Sequence, residues 1–187
     1  MGNRSKTKTL VISSMLAALI FVFTYLVKIP VPGASGAYMN IGDSIIYSAS
    51  MLVGAPWAAA AAGIGSMFAD LLYGGGIYIP ATLVIKGLMG FVCALLMFRK
   101  KPKNDIERIE LDETPQPGAN KRAFVRFVLV CILGGAIMVT GYGVFEWIAF
   151  GWTYAMGTIV FNLIQWVFGV AAAIALYYPV KMIKAAL

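Results

Sequence analysis

Asp43, Asp70, Lys86 and Glu146 are ionisable side chains set inside, or at the mouths of, apolar segments long enough to cross a membrane. A charge at mid-bilayer costs at least ~2.5–3.5 kcal/mol, so such residues usually face a partner or a cavity. Asn162 and Gln165 add two amides spaced i, i+3, which share one helix face. Carboxylates, an ammonium and amides together offer a polar ligand both donors and acceptors. Each has a structural reading beside the ligand-binding one. Asp43 follows Asn40-Ile41-Gly42 and reads as a helix N-cap or first-turn acid, because carboxylates favour that end. Asp70 reads in the same way, as a residue holding a helix end or loop. Lys86 pairs with Asp70 or Glu146, snorkels outward, or meets a ligand. Glu146 also suits an interfacial carboxylate, and the two amides also suit interhelical hydrogen bonds.

Other chemistries lack their residues. The chain has 0 His, which removes zinc-protease and His-based acid/base motifs. It contains no Walker P-loop and no Gly-x-Ser-x-Gly elbow. Asp43 and Asp70 lack the closely repeated acids of a divalent-metal clamp. No metal, no cofactor and no catalytic set are therefore expected. A small membrane enzyme acting on lipid or isoprenoid head groups stands as the rival from another class. A purely structural subunit, its polar residues paired among themselves, is a third reading.

The elements that must hold these residues are membrane helices. The 187 residues are 60% hydrophobic and 12% charged, half the ~25% charged share of a soluble domain, so one integral membrane domain facing lipid is expected. Apolar runs place helices at about 10–28, 41–54, 55–72, 80–98, 123–148 and 154–180, against the ~20 residues a span requires. The second and third are short. Gly54-Ala55-Pro56 divides a continuous stretch, and Pro inside a helix loses a hydrogen bond. Two short helices with a tight turn give six spans; one kinked helix gives five. Asp43 to Leu72 as a single helix would be about 45 Å long, so six is favoured.

Basic residues orient the chain. Arg4, Lys6 and Lys8, the run Arg99 to Arg122, Arg126, Lys181 and Lys184 fall on one side, with Lys28 alone in a loop on the other. Positive residues stay cytoplasmic, so both termini are expected inside. The net charge of +7 is thus a topology signal, and no nucleic-acid partner is expected. The first helix is too long for a typical signal-peptide core, although Ala34-Ser35-Gly36 loosely mimics a cleavage site. Cys93 and Cys131 read as small packing residues without a disulfide.

Between the helices, residues 1–9 read as a polar tail, Lys28 to Asn40 as an outer loop folded back over the helices, and Gly74-Gly75-Gly76 as a flexible turn. Residues 99–122 form a mixed-charge inner connection with one amphipathic turn around Ile106 to Leu111. Ala58 to Ala62 with Gly63 and Gly65 reads as intramolecular packing. Ser13/Ala17 and Ser14/Ala18 form a small-residue stripe in helix one, for packing or for docking another protein. Counted from the nearest outer helix end, Asp43, Asp70, Lys86, Glu146, Asn162 and Gln165 all lie between the outer surface and the midplane. Such one-sided clustering suits a cavity open to the outside. Gly141-Tyr142-Gly143 suggests a loosened helix before Glu146. Tyr38, Tyr47, Tyr73, Tyr78, Tyr142, Trp147, Trp152 and Tyr154 flank the same region, mostly as an interfacial belt.

The ordered series Asn40-Ile41-Gly42-Asp43, Gly63-Ile64-Gly65-Ser66 with Ala69-Asp70-Leu71-Leu72, Thr82-Leu83-Val84-Ile85-Lys86-Gly87, Gly141-Tyr142 with Glu146, and Asn162-Leu163-Ile164-Gln165 resembles the substrate-binding S components of energy-coupling factor (ECF) vitamin transporters. The resemblance is to the hydroxymethylpyrimidine or pyridoxine type. It implies an all-α, six-helix bundle with both termini cytoplasmic, in the plasma membrane of a bacterium. It implies capture of one vitamin from outside, with Lys28 to Asn40 closing over it and a site at Tyr38, Asn40, Lys86, Glu146, Asn162 and Gln165. It further implies docking on a transmembrane coupling protein through helix one, at Ser13/Ala17 or Ser14/Ala18, with two cytosolic ATPases completing the transporter.

Overall fold

The computed structural model describes residues 2–33, 37–98 and 119–186. Within them the elements run α1 (Gly2–Leu26), β1 (Lys28–Pro30), β2 (Tyr38–Asn40), α2 (Gly42–Leu52), α3 (Ala55–Tyr73), α4 (Tyr78–Met97), α5 (Ala119–Phe150) and α6 (Trp152–Ala186). Five of the six helices are long and apolar enough to cross a membrane; α2 is not among them. Its 11 residues reach only about 16 Å. It is buried from Gly42 to Met51, packed against α1, α3, α4 and α6.

The break between α2 and α3 follows the local chemistry. Val53 turns extended, Gly54 caps the next helix, and Pro56 sits in its first turn, where a missing N–H costs nothing. Two helices are therefore present, in place of one kinked helix. At the other end of α3, Gly74 takes φ 79°, a left-handed conformation that glycine adopts without a Cβ clash. The Gly75 N–H then donates to the Asp70 carbonyl at 2.8 Å, so this turn is closed on α3. Gly151, at φ 92°, makes the still shorter link from α5 to α6, a single residue.

Small residues bring the helix backbones together. A Cβ on Gly90 would lie 2.7 Å from the Ala58 carbonyl oxygen, and one on Gly63 2.7 Å from that of Leu83. The Ala58–Gly65 stretch thus serves intramolecular packing of α3 on α4 and α1. Tyr47, Phe127, Met89 and Met138 fill the centre. Cys93 and Cys131 are buried and free.

Several expectations are corrected. Residues 2–9 are helical and continue α1, because propagating an existing helix adds a hydrogen bond per residue. α5 runs unbroken through Gly141–Gly143; Gly141 there makes room for Ile85, 2.9 Å from where a Cβ would stand. Tyr47 lies in the core, fully buried, away from any interfacial belt. Of the inner connection 99–122, residues 119–122 begin α5. Its remainder, including the turn around Ile106 to Leu111, lies outside the described residues, as does Ala34-Ser35-Gly36.

The loop from Lys28 to Asn40 holds a two-stranded antiparallel hairpin, pairing Lys28 with Asn40, Ile29 with Met39 and Pro30 with Tyr38. At the opposite end of the bundle the Arg126 guanidinium donates to the Leu96 carbonyl and Lys184 lies 5.1 Å from the Phe98 ring centre. Cations there meet the electronegative C-terminus of α4.

Candidate functional site

Polar side chains enter the hairpin end of the bundle in helical rows. α3 brings Ser66 and Asp70, α4 brings Tyr78, Thr82 and Lys86, α5 brings Tyr142 and Glu146, and α6 brings Thr158, Asn162 and Gln165. Each row is spaced by three or four residues, so each occupies one helix face. All but Thr158 line one cavity of about 30 Å³, closed by Thr24 from α1 and by Ala37, Tyr38 and Asn40 from the hairpin. That space holds roughly two waters. Tyr38, Asn40, Lys86, Glu146, Asn162 and Gln165, the six residues singled out from the sequence, are all on its wall.

The charges pair differently from expectation. Lys86 Nζ lies 2.5 Å from Asp43 Oδ1, so its partner is Asp43, in place of Asp70 or Glu146. Counting depth along each helix says nothing of rotation about its axis, and rotation decides this pairing. Asp43 is a first-turn acid, but Ile41 is the N-cap; the carboxylate points inward and is 0% exposed. Its second oxygen accepts from Gln165 Nε2 at 2.8 Å. Gln165 Oε1 in turn accepts the Asn40 N–H at 3.1 Å. One chain of contacts thus runs from α4 through α2 and α6 to the hairpin. Buried ions need such complete pairing, since desolvation costs several kcal/mol each.

Glu146 is 2% exposed and accepts from two hydroxyls, Tyr78 at 3.1 Å and Thr158 at 2.6 Å. Asn162 lies beside it, yet its Nδ2 has no partner at hydrogen-bonding geometry among the described residues. Across the cavity, the Thr24 and Ser66 hydroxyls are also buried without partners there. Unsatisfied buried donors are uncommon and call for a physical reason; three around one cavity suit a polar guest.

The hairpin is fastened on the side of α1 and α3. The Tyr38 hydroxyl donates to Asp70 Oδ1, and the Tyr38 ring meets Tyr73 edge-on, centroids 4.8 Å apart. Lys28 Nζ lies 3.8 Å from the Tyr25 ring centre and 4.3 Å from that of Tyr73. Asp70 accordingly holds a loop, in keeping with its reading from sequence. Behind Asn40 and Gln165 opens a second, apolar cleft of about 120 Å³, lined by Val27, Ile29, Met39, Ile41, Ile164 and Phe168. Its lining offers little for a polar ligand, so the smaller polar cavity is the candidate site.

Thr24, Ser66, Tyr78, Thr82 and Tyr142 are wall residues that sequence reasoning passed over as site residues. The i, i+4 rows Ser66/Asp70, Thr82/Lys86 and Tyr142/Glu146 were the available signal. Thr24 had none. In helix one, Ser13 is buried and Ala17 packs against the core, whereas Ser14 and Ala18 are exposed.

Residues 4–183 match the family described as the S component of ECF-type riboflavin transporters. A Pyrococcus woesei protein, described as an uncharacterized protein in the gap 3′ region, is 30% identical over 162 residues, covering 87% of this chain and 94% of that protein. A thiamine precursor transporter of Lactococcus lactis subsp. cremoris, HmpT, is 25% identical over 173 residues, covering 92% of this chain and 87% of the transporter.

Proposed function

Because the chain belongs to the S-component family of ECF-type transporters, we propose that it captures a small ring-containing vitamin or precursor, of the hydroxymethylpyrimidine or pyridoxine kind, for ATP-driven import. It is a transporter component and not an enzyme. The observation that carries the substrate reading is the cavity wall. It sets an acid, Glu146, beside an unpartnered amide, Asn162, with unpartnered hydroxyls opposite. Glu146 pairs with a ring nitrogen; Asn162, with Asn40, Gln165 and Tyr38 around it, holds ring hydroxyls. Lys86 acts as a wall residue and supporting ion pair. The likeness to a thiamine precursor transporter supports a pyrimidine.

The cavity of about 30 Å³ has room for roughly two waters and is roofed by the hairpin, which lifts to admit ligand and closes afterwards. A single ring fits such a site with less displacement than a three-ring flavin does. Riboflavin is the second reading, supported by the description of the family. Calorimetric titration of the purified chain with hydroxymethylpyrimidine, pyridoxine, thiamine and riboflavin tests both. Binding of none of them, with no ECF module co-purifying, sinks the proposal.

The membrane arrangement follows. Both termini face the cytoplasm of a plasma-membrane protein, supported by the basic residues at the end opposite the hairpin. α2 counts as a sixth, short membrane segment enclosed by the others. Partners are a transmembrane coupling protein and two cytosolic ATPases. Ser14 and Ala18, being exposed, are the better docking register; the buried Ser13 is closed to a partner.

A further inference from the structure

We propose that the cavity selects for positive charge: it takes a cationic or protonatable nitrogen heterocycle and excludes the same ring once phosphorylated, with Asp43 setting this preference by holding Lys86. The inference rests on the reading of the site as a ring-binding pocket. Three ionisable side chains line the cavity: Asp70, Lys86 and Glu146. The Lys86 ammonium is already engaged, 2.5 Å from Asp43 Oδ1 and 5.5 Å from the Tyr142 ring centre. Asp43 lies behind the wall and accepts from Gln165 as well. It is therefore a positioning residue, with no ligand contact of its own.

Neither of the two remaining acids makes a salt bridge among the described residues. Glu146 is held by the hydroxyls of Tyr78 and Thr158, and Asp70 by that of Tyr38. A hydroxyl donates a hydrogen bond but cancels no charge. A buried carboxylate without a counterion is costly, and a ligand cation placed beside Glu146 supplies what the protein omits. A phosphate monoester meets the reverse situation: two carboxylates, and a lysine whose charge is already met. Like charges brought together at an interface cost several kcal/mol, and exclusion of a competitor by an unmatched charge is an established route to specificity.

The test uses the purified full chain and titrates each ring alcohol, hydroxymethylpyrimidine or pyridoxine, against its own phosphate monoester. The neutral sulfamate ester of similar size is the steric control. In the wild type the phosphate should bind at least about 100-fold more weakly than the alcohol, with the sulfamate much nearer the alcohol. Asp43→Asn frees Lys86 and should narrow the phosphate-to-alcohol gap by about 10-fold. Glu146→Gln removes one negative charge without touching the Asp43–Lys86 pair and should narrow it too. This second variant and the wild-type series keep the inference exposed to refutation if Asp43→Asn does not fold. Phosphate binding within about 3-fold of the alcohol overturns the inference, as does a sulfamate excluded as strongly as the phosphate. An unchanged gap in both variants also overturns it. Failure of every ring compound to bind overturns the vitamin reading and this inference together.

Discussion

At the scale of single residues, the ion pair between Asp43 and Lys86 separates stability from ligand contact. Removing one partner of a buried pair leaves a bare charge and costs about 3–5 kcal/mol. Asp43→Ala should therefore lower the thermal midpoint in detergent strongly, and Asp43→Ala with Lys86→Met should restore much of it. A double variant as unstable as the single one would show that the pair is not the cause. Glu146 behaves otherwise. Without it Tyr78 keeps the Tyr154 hydroxyl and Thr158 keeps the Tyr154 and Ala155 carbonyls, so Glu146→Ala should fold, and weaken vitamin binding by at least about 10-fold, the worth of a charge-assisted hydrogen bond. Calorimetry that finds Asp43→Ala weaker in affinity than Glu146→Ala, at matched folded fraction, would reverse these roles. Tyr38 adds a pH statement. Burial, and then the neighbouring Asp70 carboxylate, raise its phenol above the ordinary value. The neutral form is thus favoured in the closed hairpin. Its contribution is complete below about pH 10 and declines only as pH climbs past the free phenol's value. Tyr38 should therefore add no pH dependence to ligand dissociation from about pH 6 to 9.

At the scale of elements, the hairpin and the α3–α4 contact carry opposite tasks. The hairpin is tied down by few side chains, so it can move. Tyr38→Phe removes the hydroxyl that Asp70 accepts while keeping the ring on Tyr73. Ligand dissociation, followed by stopped-flow fluorescence, should quicken about 5- to 10-fold, the share of one hydrogen bond; an unchanged rate would mean that the fastening lies elsewhere. The α3–α4 contact cannot move. Gly90→Val would drive a side chain into the Ala58 carbonyl and the Ala62 methyl and should cost at least about 1–3 kcal/mol. Much of this was legible beforehand. Hydropathy, Gly54-Ala55-Pro56 and the basic runs marked the helices and their break, because each signal is local to a few residues. Depth along each helix also gathered the polar residues at one end. What stayed hidden is what depends on rotation and on tertiary approach: Asp43 as the partner of Lys86, the hairpin within 28–40, and the wall hydroxyl of Thr24. A threonine in an apolar helix looks the same from sequence whether it faces a cavity or a neighbouring backbone.

At the scale of the whole molecule, α1 leaves Ser14 and Ala18 exposed, the face proposed for docking. Ala18→Trp would fill the exposed register without entering the core, and should abolish co-purification of a coupling module while leaving vitamin affinity unchanged. Retained co-purification would turn attention from that face. The enclosed helix α2 bears on a different stage of the protein's life. It is short, carries Asp43, Ser44, Ser48 and Ser50, and is sheltered by its neighbours in the finished bundle. A translocon releases segments to lipid by their own apolarity and length, and α2, at 11 residues, lacks the length. During synthesis α2 is made with α1 and α3, and only α6, the last of the described helices, delivers Gln165 to Asp43. Nascent chains arrested after α5 should therefore leave α2 open to protease or to water-borne labelling reagents, and full-length chains should protect it. A chain that lacks α6 leaves Asp43 without its Gln165 partner, so completion of the bundle and shelter of α2 are a single event.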